Sequence, residues 1–106
     1  MNLHIHIKDI NYIRKEAYGI VKTKCIIHWI NPMTGNIQRS IGTTCKNPDD
    51  VDNNVLACRI AEGRAKINMW QDFQVSLINI KAEMMVKYDH LVNHEINHVS
   101  NLIKNN

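Results

Sequence analysis

Near the C-terminus the chain reads His94-Glu95-Ile96-Asn97-His98, which fits the H-E-x-x-H pattern of zinc hydrolases. That pattern works when two His at i and i+4 share a helix face and hold zinc while the Glu polarises the bound water. A third protein ligand is also needed. Only eight residues follow His98, and none is His, Asp, Glu or Cys. On a helical wheel begun at His90, His94 falls at about 40° and His98 at about 80°. Glu95 is turned on the order of 100° from His94, towards the apolar side. The His row shares its side with Asn93, Asn97 and Asn101. It therefore reads as a solvated face, with no catalytic residues and no cofactor expected. If His90, His94 and His98 hold nickel or zinc, joined by His4 or His6, the imidazoles must be neutral. Binding would then weaken below about pH 6.

Other reactive types are sparse. No G-x-S-x-G, phosphate-binding glycine loop or dinucleotide fingerprint occurs. Cys25 and His28 lie three apart on a predicted strand, hence on opposite faces, and make no nucleophile–base pair. Cys25, Cys45 and Cys58 are odd in number with no CxxC spacing, which predicts free buried thiols in a reducing cytosol. The run Asp49, Asp50, Asp52 lacks the alternating ligands and closing Glu of a calcium loop, and reads as helix capping.

Charge is the stronger signal. Residues 1–48 carry seven Lys/Arg against Asp9 and Glu16, a balance of +5, while the rest carries six against eight, a balance of −2. Lys22, Lys24 and Arg39 fall on the predicted hairpin. Arg59 and Lys66 lie about 20° apart on a helix face, and Arg64 about 140° from Arg59. Arg59 and Lys66, with Arg39, could form a basic strip that meets phosphates or an acidic protein surface.

The elements that must position these residues follow from periodicity. A chain of 106 residues, 44% apolar and 22% charged, is predicted to form a single α+β domain, mainly β over 1–46 and mainly α over 47–104. Leu3, Ile5 and Ile7 alternate as in a short strand, and 9–17 is read as a helical turn or two capped by Asp9. Residues 20–30 form a strand with Val21, Thr23, Cys25, Ile27 and Trp29 on the core face. Asn31-Pro32-Met33-Thr34-Gly35-Asn36 is a turn, and 37–46 a second strand, so the two make a hairpin. Asn47-Pro48-Asp49-Asp50 is predicted to open a helix, with Asp52 or Asn53 as a second start.

From Val55 to about Phe73 the pattern is helical, with Ala57, Ala61 and Ala65 forming a row narrow enough for close packing. Gly63 marks a second close approach or a bend. A further helical pattern spans about 75–103, with Leu77, Ile80, Met84, Tyr88, Leu91, Glu95, Val99 and Leu102 at three- and four-residue spacing, widened by Val92, Ile96 and Ile103. The two segments form one helix or break near 72–76. So long an amphipathic helix on so small a body predicts a homodimer. No apolar run is long enough to span a bilayer.

Residues 20–66 carry a pattern: the hairpin, Asn47-Pro48-Asp49-Asp50, Ala57, then Ile60-Ala61-Glu62-Gly63-Arg64-Ala65. This resembles a group of small accessory proteins of tailed phages and prophages. The resemblance implies a non-enzymatic protein in the host cytoplasm that binds a host protein or ribonucleoprotein stoichiometrically, as an anti-defence inhibitor of the anti-CRISPR type. The alternatives are a small nucleic-acid-binding regulator and a metal-binding protein that uses the C-terminal His row.

Overall fold

In the computed structural model, which describes residues 4–48 and 50–105, three strands precede one helix. They are β1 (His6–Ala17), β2 (Ile20–Ile30), β3 (Ile37–Lys46) and α1 (Asn54–Lys104). The sheet is antiparallel throughout, in the order β1-β2-β3. The expected α+β class and the hairpin of β2 and β3 are present. Leu3 of the expected first strand and Asp49 of the expected helix start lie outside the described residues.

The segment 9–17, expected to be helical, is strand. Ile7 pairs with Trp29 and Asp9 with His28, so Lys8 is an inserted residue at a register shift. The bulge lets Ile7 and Ile10 face the core although they are three apart. That spacing in the sequence imitates a helix. Asp9, expected to cap that helix, instead accepts a 2.7 Å hydrogen bond from His28 Nδ1. β1 turns into β2 through Tyr18 (φ 54°) and Gly19 (φ 77°), both left-handed, as a two-residue hairpin of the observed twist requires.

β2 and β3 are joined around buried Asn31. Its N–H donates to Asn36 O (2.8 Å) and its C=O accepts from Gly35 N (2.7 Å). Its side-chain oxygen accepts from Met33 N (2.9 Å), and its amide donates to Gln38 Oε1 (3.0 Å). Gly35, at φ 75°, supplies the conformation that closes the loop.

The helix begins six residues later than Asn47-Pro48 suggested, at the second start expected around Asp52 or Asn53. Asn53 is the cap: its side-chain oxygen accepts from Leu56 N (3.0 Å) and its carbonyl from Ala57 N (2.9 Å). Asn47 and Asp50 close a separate turn, Asp50 N donating to Asn47 O (3.1 Å) and Asn47 N to Asp50 Oδ2 (3.3 Å).

The chain divides into two units, Met1–Gln74 and Val75–Asn106. In the first, Cys25, Ile27 and Trp29 of β2 pack with Ala61, Ala65, Met69 and Phe73 of α1, and Ile5, Ile7 and Ile10 border them. The alanine row does what its spacing predicted. A Cβ on Gly42 would overlap the backbone of Ala61 and Ala65, so helix and sheet meet there backbone to backbone. Gly63 corrects the other expectation: nothing lies within 4 Å of where its Cβ would be, and the helix runs on unbroken. The second unit is the remainder of α1, with nearly all its side chains exposed.

Candidate functional site

Strand register sorts every side chain of the sheet onto one of two faces. Under the helix lie the cross-strand rows Ile7–Trp29–Gln38, Ile10–Ile27–Ser40, Tyr12–Cys25–Gly42 and Arg14–Thr23–Thr44. This face is tied down by polar clamps. Trp29 Nε1 donates to Ser40 Oγ (3.0 Å), which donates to Asp72 Oδ2 (2.7 Å). Tyr12 OH donates to Glu62 Oε1 (2.6 Å), and Arg14 pairs with Asp52 at 2.7 Å. The Tyr12 bond stabilises the Glu62 carboxylate, holding its pKa below the usual range, and pushes the Tyr12 phenol up to about 12. Burial pushes the Cys25 thiol up.

The opposite face carries the rows Asp9–His28–Arg39, Asn11–Ile26–Ile41, Ile13–Lys24–Thr43 and Lys15–Lys22–Cys45. No element of the first unit covers it. Lys15 and Lys22 are direct cross-strand partners, and Lys24 is the next residue along that face. Like charges set opposite one another destabilise a sheet. Among the described residues none of the three has an ion-pair partner. Ile13, Lys15, Lys22 and Lys24 line a shallow cavity of about 130 Å³. At the hairpin tip next to this cluster, Tyr18 is 98% exposed in a backbone conformation that a bulky side chain disfavours. The expected candidates Lys22 and Lys24 are thus brought together, with Lys15 added. Lys15 was missed because its segment was read as helix. A visible signal existed: Tyr18-Gly19 between two alternating runs is turn chemistry, and closing it puts Lys15 opposite Lys22.

The other basic candidates do not join them. Arg39 is on the open face, two rows away from Lys24 and beside His28. Arg64 donates to Thr43 O (2.8 Å) and, one helical turn on, Asn68 donates to Ile41 O (2.6 Å). These side chains cap carbonyls of edge strand β3, a structural task that blunts the edge against further strand pairing. Lys66 is held by Glu62 at 3.3 Å, while Arg59 is exposed. The expected strip of Arg39, Arg59 and Lys66 is not assembled, because α1 covers one face of the sheet and Arg39 points from the other.

The cysteines also depart from expectation. Only Cys25 is buried, while Cys58 is half-buried and Cys45 is exposed on the open face beside Lys22. His90, His94 and His98 are exposed along α1 in the second unit. Among the described residues no three His, Cys, Asp or Glu side chains gather in a way that could hold a metal ion. No helix among them is long and apolar enough to cross a membrane. Comparison with protein-family models, with curated proteins and with solved structures finds no match.

Proposed function

We propose that this protein acts by stoichiometric binding, docking the open face of its sheet on an anionic surface of a host macromolecule. The setting is the one its resemblance to phage accessory proteins implies: inhibition of a defence effector, a ribonucleoprotein of the CRISPR kind. One observation carries the reading. Lys15, Lys22 and Lys24 are crowded without a carboxylate partner among the described residues, beside exposed Ile13. Such a cluster costs folding energy in the free protein and repays it when an anion lies across it. The flanking Ile13, Ile26 and Ile41 add apolar area of the kind recognition surfaces bury.

The test is titration of a candidate effector with the chain and with a Lys15→Glu/Lys22→Glu/Lys24→Glu variant. Inhibition should saturate near one-to-one and be lost in the variant, which keeps its melting temperature. Inhibition at far below stoichiometric amounts, or inhibition the variant retains, rejects this reading.

A second reading is direct nucleic-acid binding, favoured by exposed Tyr18 beside the lysines. Base stacking on an aromatic next to phosphate-binding cations is a common way to hold single strands. Three lysine–phosphate contacts predict a log K against log salt slope of about −2 on a single strand. A flat salt response rejects this second reading.

A further inference from the structure

Phe73 is the last residue of α1 in the core cluster of the first unit, yet the apolar pattern continues past it. From Val75 it takes on a seven-residue period. One set of positions is Val75, Ala82, Asp89, Ile96 and Ile103, and the set three residues after each of its first four members is Ile78, Met85, Val92 and Val99. Eight of these nine residues are apolar, and the one exception is Asp89. Every large one among the apolar eight is exposed. Alternating three- and four-residue steps kept up through four heptads define the seam of a left-handed coiled coil. The His90, His94 and His98 row lies on the far side of the helix from this seam, about 130–170° away.

We infer that residues 75–103 form an antiparallel coiled coil with the same segment of a second copy of this chain. This is independent of the open sheet face and of what that face binds. Charge selects both orientation and register. Lys81 and Glu95 flank the seam on one side, and among the described residues neither has an ion-pair partner within its own chain. In an antiparallel pair, residues flanking on this side face one another. Layering Val75 on Val99 of the partner subunit puts Lys81 opposite Glu95 of the partner subunit, and by symmetry makes the second such bridge. The same register stacks Ile78 on the partner's Ile96 and leaves every seam residue from 75 to 99 matched. A parallel pair has none of this. There Lys81 would face the partner's Val86, Glu95 would face the partner's Ser100, and Asp89 would lie against the partner's Asp89 in one layer. The antiparallel register layers Asp89 on the partner's Met85, apart from the second Asp89. A single polar residue in such a seam selects among alternative pairings at a cost in stability.

Sedimentation equilibrium of the full chain tests this. The parent should be a dimer, and Val92→Glu a monomer. Because Val92→Glu could also loosen the helix, charge reversal is the decisive arm. Lys81→Glu and Glu95→Lys should each weaken dimerisation about tenfold, since two bridges are lost and two repulsions made. The double reversal should restore the parent affinity, and Asp89→Val should tighten it at least about tenfold. A parent that is monomeric at about 100 µM overturns the inference. A trimer or tetramer does so as well, as does a dimer whose double reversal is no tighter than the single ones.

Discussion

The two stretches of α1 use opposite chemistry at their repeated positions. Over 54–74 the buried row begins with Ala61 and Ala65, and it meets a glycine of the sheet. Over 75–104 all the apolar residues of the repeat but Ala82 are branched or long, and those are exposed. Small residues bring backbones together, so that the gain lies in dispersion contact over a flat sheet. Large residues at a heptad spacing interdigitate with another helix. Within one helix, side-chain size therefore states what kind of surface each stretch is built to meet.

The sharpest way to break this contrast is at Gly42. Gly42→Ala should destabilise by on the order of 3 kcal/mol, because the new methyl group meets main chain that cannot swing aside. Chemical denaturation reads the loss. Next come two methionines of the same helix. Met69 is 2% exposed and Met85 56%. Met69→Ala should cost about 2–3 kcal/mol. Met85→Ala should change stability by less than about 0.5 kcal/mol at a dilution that keeps the chain monomeric. Equal losses at the two sites would erase the distinction between the stretches.

A smaller effect is expected at the Tyr12–Glu62 clamp, where Tyr12→Phe should cost about 1 kcal/mol near neutral pH. The sign of its pH dependence follows from both partners. The lowered Glu62 carboxyl contributes stability that is present above its unfolded pKa and lost as pH falls through its folded one. The raised Tyr12 phenol contributes stability that is complete below its unfolded pKa and lost as pH rises towards about 12. The difference between parent and variant should thus be widest between about pH 5 and pH 10 and narrow on either side, as melting curves over that range would record. The smallest effect has the opposite sign. Gly63→Ala should stabilise by about 0.5–1 kcal/mol, since it adds helix propensity where nothing obstructs the methyl group. Loss of stability there would mean that the exposed side of the first stretch is occupied.

Much of this was legible in the chain itself. The core face of β2 shows plain alternation, and the alanine row announces a close approach. The hairpin carries its own Pro/Gly turn. The open-face site was legible in half: Lys22 and Lys24 share a face by parity alone. Lys15 was hidden because Ile10, Ile13 and Ala17 are spaced as on one side of a helix, although in β1 Ile10 faces the core and Ile13 the open side. β3 was obscured differently. Its apolar residues Ile37 and Ile41 face outward, and the residues beneath the helix are Gln38, Ser40, Gly42 and Thr44. Gly42 meets the helix backbone, Ser40 bonds Trp29 and Asp72, and Gln38 bonds Asn31, and a hydrophobicity pattern cannot register that.

The sequence by itself determined the turn between β2 and β3, which side of β2 is buried and that the segments 55–73 and 75–103 are helical, because these depend on neighbours a few residues apart. Only the tertiary structure decided that β1 is a strand, that Arg64 and Lys66 are spent on structural bonds while Lys15 joins Lys22 and Lys24, and that no element of the first unit covers one face of the sheet. Those outcomes depend on pairing between distant segments. Register, once set, assigns every side chain of a strand to a face at a single stroke.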